Sequence, residues 1–139
     1  MENLFDFLIK DYNLSYQYQE FLNCYGGNWT VQAHSFYNES GCFTIYNEVQ
    51  RGLSFYCASQ LSTEREKLCE REVDISLMEP HVWKERQTLW FFKNPFFWWS
   101  DKKVLSTLAE ALKVHLAKNN EFFGITVTKR QNAGNESTS

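Results

Sequence analysis

The sequence predicts an α+β domain in which an antiparallel β-meander is packed by an N-terminal helix and a long C-terminal helix. Three observations carry that expectation. Three runs of β-type residues, 29–37, 42–49 and 53–59, are separated only by the turn-formers Asn38-Glu39-Ser40-Gly41 and Gln50-Arg51-Gly52, a spacing that suits consecutive hairpins. Residues 101–118 place Val104, Leu105, Leu108, Leu112 and Leu116 on one stripe, with Lys102, Lys103, Lys113 and Lys118 off it, as in an amphipathic helix. A chain of 139 residues with 43% hydrophobic and 22% charged residues is long enough for one well-filled core.

Taken in order, Leu4, Phe5, Leu8 and Tyr12 recur at helical spacing, and Glu2 and Asp6 suit a helix N-terminus, so 2–12 reads as a helix. Residues 14–25 are ambiguous: Leu14, Tyr16 and Tyr18 alternate like a strand, whereas Phe21 and Leu22 would also close a helical turn before Gly26-Gly27. In the meander, Trp29, Val31 and Ala33 alternate with polar residues, Phe43 to Tyr46 are strongly β-forming, and Leu53, Phe55 and Cys57 share one face. Thr63-Glu64-Arg65-Glu66 matches a capping box and predicts a helix of about ten residues burying Leu61, Leu68 and Cys69. Val73, Ile75 and Leu77 alternate as a short extended stretch, and Glu79-Pro80 reads as the N-cap and first residue of a short helix through Val82 and Trp83. Gln87–Lys93 reads as extended, and Ser100-Asp101 opens the long helix, which Asn119-Asn120 ends. Phe123, Ile125 and Val127 make a final strand. The sheet thus has four to six strands and two or three helices, in a single domain over 1–128. Residues 129–139 hold no large apolar side chain and read as a disordered tail.

Composition narrows the function. The net charge of −3 argues against a nucleic-acid binder, because phosphate neutralisation dominates that affinity. Residues 1–63 hold six acids against two bases, and residues 101–139 hold six bases against four acids, so the N-terminal half could steer a basic partner. Cys24, Cys42, Cys57 and Cys69 form no C-x-x-C pair, which leaves a zinc site without support. Glu2 and Asp6 stand where a signal peptide carries bases, and the longest apolar runs are too short for a membrane span. The expectation is a cytoplasmic protein with reduced, mostly buried thiols and no membrane association.

No catalytic signature is present: the glycines are scattered, with no phosphate loop, dinucleotide pattern or G-x-S-x-G. His81 and Glu85 stand four apart, a lone pair that falls short of a metal site, and no cofactor is expected. The acids of 64–79, interleaved with Arg65, Lys67 and Arg71, read as a salt-bridged helical face or as a docking surface for a basic protein. Lys93-Asn94-Pro95-Phe96-Phe97-Trp98-Trp99-Ser100-Asp101 is the densest local signal in a chain that is 17% aromatic. Flanked by Lys93, Lys102 and Lys103 it has the makings of a base-stacking platform, but the net charge favours core. Trp98 and Trp99 cannot both point inward from an extended segment, so one of them is expected to line a groove or an interface.

The layout also resembles the immunity proteins of contact-dependent growth inhibition and related polymorphic toxin systems. The residues that carry the likeness are Tyr25-Gly26-Gly27-Asn28-Trp29, leading from an N-terminal helix into a hairpin-rich sheet, and Phe96–Asp101, leading into a late helix. The likeness is one of organisation and transfers no functional residue. It implies a non-enzymatic inhibitor that binds one toxin domain, often a basic nuclease, by masking its surface. From the residues themselves, Glu39 in the first turn, Glu48 at a strand end, and Trp98 or Trp99 are the candidates for partner contact. The alternative is a small enzyme or ligand-binding domain with an aromatic pocket between sheet and helix; a deep pocket holding His34, His81 or His115 beside a carboxylate would mark it.

Overall fold

The computed structural model describes residues 4–22, 30–48, 52–85 and 101–129. The expectations for Cys24, the 25–29 segment, Gln87–Lys93, Phe96–Trp99 and the tail beyond 129 fall outside these residues.

Five antiparallel strands form the sheet in chain order: β1 (Ser15–Leu22), β2 (Thr30–Asn38), β3 (Gly41–Glu48), β4 (Gly52–Ala58) and β5 (Arg71–Glu72). The expected meander is therefore present, and the ambiguous 14–25 stretch resolves as strand β1. Burial follows the strand period of two. Phe36, Phe43, Ile45, Phe55 and Cys57 lie on one face, in the main core. Val31, Ala33, Cys42 and Tyr46 lie on the other, in a smaller cluster with Leu68. Central strand β3 is consequently buried on both faces along nearly its whole length.

The main core is closed by α1 (Asp6–Lys10), by the long helix α4 (Asp101–Lys118) and by a small hairpin of β6 (Glu121–Phe122) and β7 (Ile125–Thr126). Helix α4 has the expected bounds and buries Leu105, Leu108, Leu112 and Leu116, whereas Lys113 stays in water. Helix α1 is shorter than its apolar pattern, although Phe5, Leu8, Tyr12 and Leu14 all reach the core. The segment read as one final strand breaks at Phe123-Gly124, whose φ values of 48° and 84° are those of a tight hairpin turn. Gly41 lies under this hairpin: a Cβ there would meet Ile125 Cγ1 at 2.9 Å.

The capping box is not used. Helix α2 is only Arg65–Leu68, Glu64 occupies its N-cap position, and no side chain caps it. Topology explains the difference. Leu68 belongs to the smaller cluster on one face of the sheet and Val73 to the main core on the other. The chain must cross the sheet edge between them, which a ten-residue helix could not do. It crosses as β5, held by a 2.9 Å bond from Val73 N–H to the Phe55 carbonyl. The next stretch is likewise not extended: Asp74 caps a 3-10 turn over Ile75–Leu77 by accepting from Ser76 N–H, and Leu77 points into water. Residues 80–85 then form α3, as far as the described residues run.

Candidate functional site

The two edges of the sheet present different chemistry. On β1, Tyr16 and Tyr18 are each 40% exposed and Leu22 is 75% exposed, three of the four exposed large hydrophobics among the described residues. With Glu20 they share one face of the strand. His34, opposite Tyr18 on β2, anchors this strip. Its Nδ1 lies 2.7 Å from the Tyr16 hydroxyl, its ring stacks on Tyr16 at 6.0 Å between centroids, and Tyr18 tilts against it at 5.1 Å. Partial burial lowers the His34 pKa and raises that of Tyr16. The Tyr18 hydroxyl donates to Glu20 Oε2 at 2.6 Å, a bond that raises the Tyr18 pKa.

At the β5 edge, Glu64, Glu66, Glu70, Glu72 and Asp74 are all exposed. The expected i,i+4 salt-bridge network is absent because α2 is one turn long. Lys67 Nζ to Glu64 Oε2, at 3.6 Å, is the one ion pair within 64–74 among the described residues. The bases turn elsewhere: the Arg65 guanidinium stacks over the Tyr46 ring at 5.5 Å, and Arg71 donates to the Phe123 carbonyl at 3.1 Å. Glu70 accepts from Ser59 N–H at 2.7 Å. An open depression of about 440 Å³ joins this edge to the β2–β3 turn, being lined by Ser40, Ser59, Glu70, Arg71 and Phe123.

Glu39 is exposed at that turn, next to Ser40. Glu48 lies at the far end of β3, roughly 25 Å away at strand rise, and is only 8% exposed, so it is not a rim charge. One surface cannot use both in the same way. Trp98 and Trp99 fall outside the described residues.

Two of the three histidines, His81 and His115, meet one carboxylate. Glu79 has a left-handed backbone, with φ of 51°, and its carboxylate meets His115 Nδ1 and Lys118 Nζ, each at 3.3 Å, and His81 Nδ1 at 3.6 Å. Burial alone would raise its pKa, but the bonds from Lys118 and His115 outweigh it and hold the carboxyl below its usual range. Nε2 of His115 is also engaged, 2.7 Å from the Glu121 carbonyl, so neither ring nitrogen is open to a substrate. The group fastens the 78–82 segment to the end of α4 and to β6. A second open depression of about 460 Å³ lies between Tyr12, Leu116 and Val127, and neither depression is lined by a histidine.

No family model, curated protein or solved structure matches this chain.

Among the described residues no group of three or more His, Cys, Asp or Glu is placed to hold a metal ion, and no helix is long and apolar enough to cross a membrane. His81, expected beside Glu85, is drawn instead to Glu79. Cys42, Cys57 and Cys69 are free thiols, and burial raises the pKa of Cys42 and Cys57, which keeps them protonated and unreactive. Sequence reasoning missed the β1 strip, although the signal was there: Tyr16, Tyr18 and Leu22 alternate with Gln17, Gln19 and Phe21, and only the choice between strand and helix hid their common face.

Proposed function

We propose that the protein is a binding protein of the immunity type, which neutralises a cognate toxin domain, such as a basic nuclease, by masking its surface. The observation that carries the reading is the acidic β5 edge, where exposed carboxylates outnumber the exposed bases Lys67 and Arg71 and Glu39 stands beside the same depression. A surface of that sign steers a basic partner and raises its association rate. Glu66 and Glu72 make no ion pair among the described residues and are the carboxylates most available to a partner. Of the three histidines the enzyme alternative could use, His115 has both ring nitrogens engaged, by Glu79 and by the Glu121 carbonyl.

The test is binding kinetics with any basic toxin domain that a neighbouring gene proves to encode. Reversing charge at Glu39, Glu66 and Glu72 together should slow association at least tenfold at low salt and leave dissociation nearly unchanged. Alanine at Trp98 or Trp99, whichever contacts the partner, should instead speed dissociation. A purified protein that ignores that domain yet turns over a small molecule would sink the reading.

A further inference from the structure

Strand β1 is the end of the sheet, and its outer edge has no partner strand among the described residues. Natural edges of this length are guarded by lysines, prolines, bulges or a covering element. β1 has none of the side-chain guards: Ser15–Leu22 contains no Lys, Arg or Pro, its register against β2 runs without a bulge, and Glu20 is its single charge. Most of its side chains are exposed.

The phase of the backbone follows from the hairpins. The pair Asn38↔Gly41 closes a two-residue turn and therefore exchanges both backbone hydrogen bonds. Alternation then turns the N–H and C=O of Tyr37, Ser35, Ala33 and Val31 toward β1, where they meet Ser15, Gln17, Gln19 and Phe21. On the far side of the sheet the same phase requires the Phe55 carbonyl to face outward, and it does, accepting from Val73 N–H. It follows that Tyr16, Tyr18, Glu20 and Leu22 aim their backbone groups away from the sheet. These are also the residues of the exposed strip.

We infer that a second copy of this chain pairs along β1, antiparallel about a two-fold axis at Gln19, making one ten-stranded sheet. In that register Tyr16 faces Leu22 of the other copy, and Tyr18 faces its Glu20. Each large exposed side chain of the strip gains a partner on the same face, and the two Gln19 residues lie across the axis on the other, each with its Nε2 donating to the Ser62 carbonyl of its own chain at 3.0 Å. Like charges are kept apart: each Glu20 falls opposite the neutral Tyr18 of the other copy, and no two carboxylates are directly opposed. The assembly closes at two copies, because the remaining outer edges are the short, charged β5 strands. An interface of one strand and its side chains is at the small end of specific contacts, so the dimer forms at concentrations on the order of 10–100 μM.

Sedimentation velocity of the full chain between about 5 and 500 μM should show a rise from 16.5 kDa to twice that mass. Amide exchange read by NMR should show Gln17 and Gln19 protected at every concentration, while Tyr16, Tyr18, Glu20 and Leu22 gain at least tenfold protection as the dimer fills. Glu20→Pro removes an outward N–H without touching the β2 ladder and should abolish association. Two substitutions that remove the same ring then test the register. Tyr18→Lys opposes the partner's Glu20 and should keep the dimer, whereas Tyr18→Glu should weaken it at least tenfold. A circular dichroism melt of each variant confirms that it is folded. A monomer at 500 μM, a larger assembly, equal effects of the two Tyr18 variants, or a dimer that leaves the four outward amides unprotected would overturn the inference.

Discussion

The two outer strands of this sheet have the same backbone chemistry and opposite surroundings. β1 runs for eight residues and carries one charge, whereas β5 is two residues long, both of them charged, and is bracketed by Glu70 and Asp74. Each end strand of a sheet presents unpaired peptide groups, so its length and side chains decide what it can accept. β5 is too short and too charged to extend a sheet, and the exposed acids around it give that edge a negative field. β1 offers a ladder with almost no field. The difference teaches that edge protection is local: one sheet can guard one side with charge and shortness and leave the other, among the described residues, without either.

The largest expected effect tests what the edges share, the layer behind the central strands. Leu112 is fully buried, and Leu112→Ala should cost about 2–5 kcal/mol in denaturant melts, while Lys113→Ala, exposed on the same helix with its Nζ 5.3 Å over the Phe7 ring, should cost no more than about 1 kcal/mol. Exchange protection should fall together in β1 and β4; loss confined to one would mean that the two sides do not share a core.

A middle-sized effect belongs to the clasp that follows the β5 edge. The folded Glu79 carboxyl has a pKa below its unfolded value, so its stabilisation is complete above the ordinary carboxylate range and is lost as pH falls through that range toward the folded pKa. Glu79→Gln should lower stability by about 1 kcal/mol near neutral pH, a modest figure because Lys118 and His81 sit in water. The gap from wild type should narrow as pH falls below the ordinary carboxylate range. A gap independent of pH would show that the side chain's hydrogen-bond geometry, rather than its charge, sets the cost.

The smallest effects should fall on the edges themselves. Gln17→Lys on β1 and Glu72→Lys on β5 are exposed changes and should each shift stability by no more than about 0.5 kcal/mol in dilute solution. A loss above 1 kcal/mol at Glu72 alone would make the acidic edge a structural element instead of a surface.

The chain by itself determined the hairpin order, the bounds of the long helix and its buried stripe, because each depends on spacing within a few residues: two for Leu53, Phe55 and Cys57, three to four for Leu105, Leu108 and Leu112. Tertiary structure alone decided the rest. Thr63-Glu64-Arg65-Glu66 has good helix-start chemistry, yet Leu68 and Val73 are claimed by opposite faces of the sheet, and that demand cut the helix to one turn. Tyr16 and Tyr18 became a surface only when Ser15–Leu22 paired with β2, because pairing sets which side of a strand faces the core. Glu48 reads like any strand-end acid, and its burial depends on packing that no local pattern records. Glu79, His115 and Lys118 are neighbours across more than thirty residues of sequence. Contacts of that range depend on how the layers close, since the free energy that orders them comes from burying the layers rather than from the residues beside them.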